Sequence, residues 1–179
     1  MSFVFTPPAT VSVSVVGTTE RFPVHRVYCV GRNYEEHAKE MGFTGREPPF
    51  FFLKPTDAVV AVEAGQTGVI PYPSLTGNLH HEIELVVAIG TGGKNIKAED
   101  AHNHIYGYAV GLDMTRRDLQ GDMKKAGRPW CIEHLSAAWE LMPGDLIYTG
   151  TPEGVAAVIK GDIMVGGVSG LGELRVAVQ

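Results

Sequence analysis

The fold is decided by one stretch of the sequence, His80-His81-Glu82-Ile83-Glu84-Leu85-Val86-Val87-Ala88-Ile89-Gly90. β-Branched and apolar residues run to a terminal glycine, a pattern that is typical of a strand. Side chains on a strand alternate between its two faces, so Glu82 and Glu84 point to one side while Ile83 and Leu85 point to the other. The stretch therefore predicts a strand that carries two carboxylates on the same face.

The spacing of the two glutamates suggests a cation site. Residues two apart on a strand are separated by ~6.5 to 7 Å, a spacing at which two carboxylates can share one hard divalent cation. Without a cation the two charges would repel each other. A second interpretation is that Glu82 and Glu84 lie on a solvated sheet face, where glutamates are common. These residues alone leave both interpretations open.

The composition indicates a single soluble domain that acts on small molecules. The chain has 179 residues, 44% hydrophobic and 20% charged, which suits one domain with a real core. Its net charge of −5 and the lack of a basic block argue against nucleic acid as a partner. No apolar run approaches the ~18 residues of a membrane span, and residues 1–7 lack the basic region of a signal peptide. We therefore expect a cytoplasmic protein with no membrane partner.

The two cysteines do not form a disulfide framework. Cys29 lies within the apolar run 27–30, where a buried, unreactive thiol is expected. Cys131 lies far from it in the sequence. We expect no role for the Cys29 thiol in the chemistry of the protein.

The rest of the chain is predicted to be mainly strands with a few short helices. Asp113 is expected at the end of a strand, and Thr115 with Asp118 is expected to form a capping box at the start of a helix. Strands are predicted at 10–16, 27–30, 50–55, 105–112, 145–149, 161–165 and 173–178, and helices at 34–41, 116–125 and 132–142.

His37 and Glu40 are three residues apart on the predicted helix 34–41, so they share a face. A carboxylate beside an imidazole orients the ring, raises its basicity and can produce a general base. A surface ion pair is the alternative interpretation.

Three further features are candidate ligand contacts. Lys54 ends a predicted strand, where it is either solvated or placed to meet a ligand carboxylate. Arg117 and Gln120 share one face of the helix 116–125, which is either solvent-exposed or part of a site. In the loop 150–154, the backbone amides and the Thr151 hydroxyl could cradle an oxyanion or a carboxylate.

Taken together, five ordered blocks resemble the fumarylacetoacetate hydrolase family. The resemblance runs from about residue 22 to the end of the chain, and it is nearest to small bacterial members. The blocks are Gly31-Arg32-Asn33-Tyr34-x-x-His37-x-x-Glu40-Met41-Gly42, Phe52-Leu53-Lys54-Pro55, His80-His81-Glu82-Ile83-Glu84-Leu85, Gly107-Tyr108-Ala109-Val110-Gly111-Leu112-Asp113-Met114-Thr115-Arg116-Arg117-Asp118-Leu119-Gln120 and Pro143-Gly144-Asp145-Leu146-Ile147-Tyr148-Thr149-Gly150-Thr151-Pro152-Glu153-Gly154-Val155.

The resemblance implies a fold, an assembly and an activity. The fold is a mixed, mainly β roll with a few short helices, formed by residues 22–179 behind a β extension at 1–21, and the assembly is a homodimer. The activity is hydrolysis of a C–C bond in a 2,4-dioxo acid, as in the cleavage of fumarylpyruvate to fumarate and pyruvate in aromatic catabolism. Decarboxylation of oxaloacetate or isomerisation of a diketo acid is the alternative within the family.

The resemblance also assigns roles to residues. It makes Glu82, Glu84 and Asp113 the ligands of one divalent cation, in agreement with the two carboxylates on one strand face. Three oxygens completed by water and substrate fit octahedral Mg²⁺ or Mn²⁺ better than Zn²⁺, which prefers nitrogen or sulfur. His37 and Glu40 become a dyad that deprotonates the attacking water. The implied substrate contacts are Arg32, Lys54, Arg117, Gln120 and Thr151.

The sequence departs from the family pattern at one place. Trp130 is followed directly by Cys131, where the family has several dozen further residues, including a lysine that is expected to contact the substrate or an oxyanion. Either a segment between these two residues is missing from the sequence, or the chain is a non-catalytic, metal-binding remnant.

Overall fold

The computed structural model describes residues 4, 6–31, 33–34, 50–125, 143–152 and 154–179. Strands dominate these residues and pair in both parallel and antiparallel directions, so the predicted mixed, mainly β fold is confirmed. The elements are β1 (Ser12–Ser14), β2 (Arg21–Pro23), β3 (Val27–Gly31), β4 (Phe50–Lys54), β5 (Thr67–Ile70), β6 (Leu79–Ile89), β7 (Ile105–Arg116), α1 (Arg117–Lys125), β8 (Leu146–Tyr148), β9 (Ala156–Val158), β10 (Ile163–Val168) and β11 (Gly172–Val178), with 3₁₀ turns at Thr56–Ala58 and Ala98–His104.

The predicted central strand is β6, which lies in the largest sheet. The order of this sheet is β4-β3-β8-β6-β7, and β9 pairs with β6 as well. The β3–β8 pair is parallel, and the other pairs in the sheet are antiparallel. β7 accompanies β6 over almost its full length, so the two strands form a long ribbon that presents side chains in matched rows.

The opposite edge of β6 is covered by two short strands with an interval between them. β8 pairs with residues 86–88 of β6, and β9 pairs with residues 79–81. Over the interval, the Thr149 backbone N–H and side-chain hydroxyl both donate to the Leu85 carbonyl oxygen, at 3.2 and 2.8 Å. The chain that leaves β8 therefore runs past the middle of β6, beside Glu84.

Two hydrophobic clusters hold these sheets together. The first consists of Phe22, Val24, Val27, Cys29, Val86 and Leu146, and side chains of the β1 region pack against it. Burying each large apolar side chain contributes about 1.5–3 kcal/mol. The second lies between β6 and a smaller sheet of order β10-β11-β5, and it consists of Leu79, Val158, Met164, Val176 and Val178.

The sequence predicted several of these elements well. The buried strand at 27–30, the central strand and the closing ribbon at 161–165 and 173–178 are all present, with bounds that differ by a few residues. Cys29 is buried and free, as expected. Because β1 pairs with β2, residues 1–21 include a strand, but the domain boundary at residue 22 stays a prediction.

Two details at the end of β7 were predicted wrongly. Asp113 does not end the strand, because β7 continues to Arg116 and pairs with β6 throughout. Thr115 is therefore a strand residue and does not cap the helix. Asp118 instead accepts hydrogen bonds from Thr76 and Gly77, which lie just before β6.

Some predictions fall outside the described residues. They are the helices at 34–41 and 132–142 and the junction between Trp130 and Cys131. In the part of the chain that is described, no helix is long and apolar enough to cross a membrane.

Candidate active site

The candidate site is centred on three carboxylates that β6 and β7 bring together. The register of the two strands pairs Glu82 with Asp113 and pairs Glu84 with Gly111. Glu84 is 2% exposed and Asp113 is 4% exposed, so the sheet face here is not solvated. The alternative interpretation of the two glutamates as ordinary surface residues therefore fails.

Glu84 is the most perturbed of the three. Burial raises the pKa of its carboxyl group to about 9, with further contributions from the charges of Asp113 and Glu82. The Gly150 backbone N–H donates to Glu84 Oε2 at 2.9 Å and partly offsets this effect. A buried carboxylate beside other carboxylates is costly unless a cation compensates it.

Two basic side chains already neutralise part of this charge. Lys54 Nζ bonds Asp113 and also donates to the Met114 carbonyl oxygen at 3.1 Å. Arg117 bonds Glu82, and these two side chains are 13% and 12% exposed. Burial acts to lower the pKa of Lys54, but the charge and hydrogen bond of Asp113, with smaller contributions from Cys29 and Glu84, together outweigh it and the pKa is raised. When Glu84 is ionised, as a metal ligand has to be, three carboxylates beside these two cations carry one excess negative charge.

The donors suit a hard divalent cation, although they are not gathered around one point. Among the described residues, no three His, Cys, Asp or Glu side chains lie close enough together to hold a metal ion. Glu82 and Asp113 are instead turned toward Arg117 and Lys54. Carboxylate oxygens are nevertheless the ligands that Mg²⁺ and Mn²⁺ prefer, and the excess negative charge favours a cation. The residues present therefore fit the predicted metal.

Arg117 and Gln120 are also brought to this site. Arg117 Nη1 donates to Gln120 Oε1 at 2.7 Å, so one face of α1 is turned inward. The interpretation of this face as solvent-exposed is wrong for Arg117. Arg117 Nε and His80 Nδ1 are buried and have no hydrogen-bond partner within the described ranges, so this end of the site contains unused polar groups.

The loop after β8 serves the site in an unexpected way. The sequence predicted that its amides could cradle an oxyanion, but the Gly150 amide is used on Glu84 instead. Gly150 has φ +89°, and a Cβ there would lie 2.8 Å from the Val30 carbonyl oxygen, so only glycine fits. Thr151 is 3% exposed and follows directly.

The predicted dyad lies outside the described residues, as does Arg32. Asn33, four residues before His37, is described. Its Nδ2 donates to the Thr149 carbonyl oxygen at 2.8 Å. The chain that leads to His37 and Glu40 is thus fastened to the loop beside Glu84.

Tyr148 is a site residue that the sequence analysis missed. Its ring lies against Gly111, where a Cβ would be 2.4 Å from a ring carbon and 2.8 Å from the hydroxyl oxygen. Burial raises the pKa of Tyr148, and Asp113, Cys29 and Glu84 raise it further, so the hydroxyl stays protonated. The signal in the sequence was a glycine in a strand directly opposite Glu84, which marks a close approach.

The fold and the site define a class of protein. The fumarylacetoacetate (FAA) hydrolase C-terminal family profile matches residues 26–131 and 126–179. The chain belongs to this family.

Individual relatives narrow the class. The chain is 37% identical to a fumarylpyruvate hydrolase of a Ralstonia species, over 74% of this chain and 93% of the relative. It is 33% identical to a mitochondrial oxaloacetate tautomerase of Arabidopsis thaliana, over 86% of this chain and 91% of the relative. A crystal structure of fumarylpyruvate hydrolase from Pseudomonas aeruginosa with Mn²⁺ and pyruvate has a TM-score of 0.94 and 47% identity, over 99% of each chain.

The alignment length shows how much shorter this chain is than the Ralstonia relative. The Ralstonia alignment spans 183 positions, whereas 74% of 179 residues is about 132 residues. About 50 aligned positions of that relative therefore have no counterpart here. The two matches to the family profile meet at residues 126–131.

The electrostatics of Glu84 generate a prediction for the metal-free protein. Its folded pKa of about 9 lies above the ordinary value of 4.5, so the folded state holds a proton that the unfolded state has lost. This contribution to stability is present below the ordinary value and is lost as the pH rises toward 9. In EDTA, the Tm of Glu84→Gln should therefore exceed that of the wild type at pH 8, and the difference should shrink at pH 5.

The Glu84→Gln variant also tests whether Glu84 is a ligand of the divalent cation. Mg²⁺ or Mn²⁺ should raise the Tm of the wild type and of the exposed-site control Glu99→Gln, but not that of Glu84→Gln. An unchanged response to metal in Glu84→Gln would remove Glu84 from the ligand set.

The packing of Tyr148 generates a second prediction. Gly111→Ala should displace the Tyr148 ring and lower the Tm by several degrees, because a side chain that is too large for its site costs about 1–3 kcal/mol. Gly107→Ala, on the same strand with nothing within 4 Å of the new Cβ, is the matched control. Equal Tm values for the two variants would show that the contact between Tyr148 and Gly111 is not tight.

Proposed function

We propose that the protein is a divalent-cation-dependent hydrolase that cleaves fumarylpyruvate to fumarate and pyruvate. The observation that carries the proposal is the buried acidic cluster of Glu82, Glu84 and Asp113, in a chain similar to a structure that contains Mn²⁺ and pyruvate. In this proposal the three carboxylates hold one Mg²⁺ or Mn²⁺. When bound, the cation supplies Lewis acidity to the dioxo unit of the substrate and to the departing enolate.

The basic groups around the cluster suit a dianionic substrate. Lys54 and Arg117 place two cations at opposite sides of the carboxylates, since Lys54 bonds Asp113 and Arg117 bonds Glu82. Fumarylpyruvate has a carboxylate at each end, so each cation can meet one of them. In the proposal Gln120 orients the Arg117 guanidinium through their 2.7 Å hydrogen bond.

The proposal includes His37 and Glu40 as the proton-transfer pair, with Glu40 polarising His37. The attachment of Asn33 to Thr149 supports this placement, because four residues of chain extend at most ~14 Å. In the proposal His37 activates a water molecule beside Glu84. Arg32, which precedes Asn33 in the sequence, and Thr151, which follows Thr149 by two residues, are proposed as further substrate contacts.

A second candidate function is tautomerisation or decarboxylation of oxaloacetate. Its support is that relatives named oxaloacetate tautomerase, from Arabidopsis thaliana and Escherichia coli, are 33% and 32% identical to this chain. The same carboxylates and cation would serve both reactions, because each passes through an enolate next to a carboxylate. Attack by water distinguishes the hydrolase and requires a base such as His37.

The proposal also covers the cellular location, the pathway and the assembly of the enzyme. We place the enzyme in the cytoplasm, in aromatic catabolism, and as a homodimer. Tyr106 and Tyr108, 55% and 52% exposed on the edge strand β7, are apolar surface that a second copy would cover. The catalytic domain is taken as residues 22–179, behind a β extension at 1–21.

The junction between Trp130 and Cys131 is proposed to be where the relatives have a further segment. About 50 positions of the Ralstonia enzyme lack a counterpart in this chain, and the two profile matches meet at this junction. If the chain in fact lacks the segment, the competing outcome is a metal-binding remnant without turnover.

Three measurements separate these functions: hydrolysis of fumarylpyruvate, conversion of oxaloacetate and the metal-dependent change in Tm. Purified protein with Mg²⁺ or Mn²⁺ should consume fumarylpyruvate, measured as loss of its enol absorbance, and EDTA should abolish the reaction. Conversion of oxaloacetate without hydrolysis of fumarylpyruvate would favour the second candidate. A metal-dependent rise in Tm with neither activity would identify the remnant.

The proposed role of His37 as the general base is tested by the substitution His37→Ala. Loss of a positioned general base should lower kcat by ~10²-fold or more. The metal-induced rise in Tm should remain, because His37 is not a proposed ligand. His102→Ala, at an exposed histidine of the 3₁₀ turn Ala98–His104, is the matched control. Turnover at the wild-type rate in His37→Ala would return His37 and Glu40 to the surface ion-pair interpretation.

A further inference from the structure

Asp118 fastens the start of α1 to the loop before β6. Its Oδ1 accepts hydrogen bonds from the Thr76 hydroxyl at 2.6 Å and from the Leu119 backbone N–H at 2.9 Å. Its Oδ2 accepts from the Gly77 backbone N–H at 2.9 Å. These bonds lower the pKa of Asp118, so it is ionised at neutral pH and each bond is charge-assisted.

The same loop also fixes the backbone of Arg117. The Arg117 backbone N–H donates to the Asn78 carbonyl oxygen at 2.9 Å, and the Asn78 N–H donates to the Thr76 hydroxyl at 3.2 Å. The Thr76 hydroxyl thus links Asp118 to Asn78, and Asn78 links to Arg117. The joint between loop and helix is a closed set of hydrogen bonds.

The loop needs this support. Leu75, the residue before Thr76, has φ +64° and is 85% exposed, so it adopts a left-handed conformation that a branched side chain disfavours. Few contacts of its own hold such a residue in place. The bonds that Asp118 accepts from Thr76 and Gly77, the next two residues, therefore help to hold the turn closed.

The joint matters because of where the Arg117 side chain reaches. It bonds Glu82 on β6 and Gln120 on α1, so it spans the site from the helix to the carboxylates. α1 has nine residues, a length at which a helix is not stable by itself and depends on tertiary contacts. Asp118 is next to Arg117, and adjacent residues of a helix do not share a face, so its carboxylate reaches Thr76 and Gly77 instead of Glu82.

We propose that Asp118 is a positioning residue that holds Arg117 against Glu82 and thereby sets the affinity for the anionic substrate. It touches neither the carboxylate cluster nor the substrate and acts only through Arg117. This inference rests on the proposed function, in which Arg117 meets a substrate carboxylate. A shift of about 1 Å in such a contact can cost up to ~10²-fold in rate or affinity.

The test compares Asp118→Ala with a matched control. Asp118→Ala should raise KM for fumarylpyruvate by ~10-fold and change kcat by less than ~3-fold, because it displaces a binding group and leaves the metal and the base in place. Asp118→Asn keeps an acceptor for Thr76 and Leu119 but not for Gly77, so its KM should lie in between. Asp162→Ala is the control: Asp162 also accepts a backbone bond, from Ile159 at 2.9 Å, but lies in the turn before β10. Its KM should stay at the wild-type value.

A double-mutant cycle shows whether Asp118 acts through Arg117. The double variant that carries both Arg117→Ala and Asp118→Ala should have the same KM as Arg117→Ala alone, because the effects of substitutions at coupled residues are not additive. Multiplicative effects of the two substitutions, or a KM for Asp118→Ala within ~2-fold of the wild type, would overturn the proposal.

A second readout does not depend on activity. Arg117 Nε is buried, so its N–H should exchange slowly with solvent in ¹⁵N NMR spectra, with Arg117→Lys used to assign the signal. Asp118→Ala should accelerate this exchange, and Asp162→Ala should not. If the wild type turns over neither fumarylpyruvate nor oxaloacetate, the proposed function fails. The exchange rate of the Arg117 Nε–H still decides the role of Asp118. Unchanged exchange in Asp118→Ala overturns the inference.

Discussion

The Glu84 carboxylate is buried on the same face of β6 that packs Val86 into the hydrophobic core, and the rest of the site depends on this placement. Val86 is 3% exposed and Glu84 is 2% exposed, so the core and the acidic cluster are continuous. A carboxylate in such a position is costly, and the cost increases when Asp113 lies beside it. The surroundings of Glu84 therefore have to supply positive charge or hydrogen-bond donors.

The architecture supplies them from three directions. The interval between β8 and β9 leaves room for the Gly150 amide, which donates to Glu84. The end of β4 brings Lys54 to Asp113, and the helix after β7 brings Arg117 to Glu82. Each donor comes from a different part of the fold. Because none of them satisfies Glu84 completely, its pKa remains raised. In the proposed function, a divalent cation would supply the missing positive charge.

The sequence predicted the parts of this arrangement that depend on local pattern. Alternation along residues 80–90 was enough to place Glu82 and Glu84 on one face, and it also predicted the central strand. It could not predict their burial, because burial depends on β7, β8 and the loop at 149–151, which come from distant parts of the chain. The strand carrying Asp113 was predicted too short for a related reason. Polar residues that line a site interrupt the apolar alternation by which a strand is recognised.

Asp118 shows the limit of local reasoning most clearly. A threonine followed three residues later by an acidic residue matches the capping pattern, so Thr115 and Asp118 were paired with each other. In the structure the Asp118 carboxylate lies in the first turn of a helix, as expected. Two of its three hydrogen-bond partners, Thr76 and Gly77, are more than forty residues earlier in the chain. The prediction that Asp118 lies in the first turn of a helix was correct, but the predicted partner, Thr115, was wrong. The sequence near residue 118 does not show that the loop before β6 packs against the start of α1.

The placement of the basic groups follows from the same constraint as the acidic ones. A lysine or arginine on a flexible surface segment would lose much side-chain entropy in order to stay beside a carboxylate. Lys54 stands at the end of a paired strand, and Arg117 stands at the first residue of a helix whose backbone is bonded to Asn78. Both cations are thus held by rigid backbone. The proposed function requires the site to admit both a divalent cation and a dianionic substrate. It would need its positive charges fixed in this way, because a mobile lysine or arginine would pair with the ionised Glu84 and occupy the position proposed for the metal.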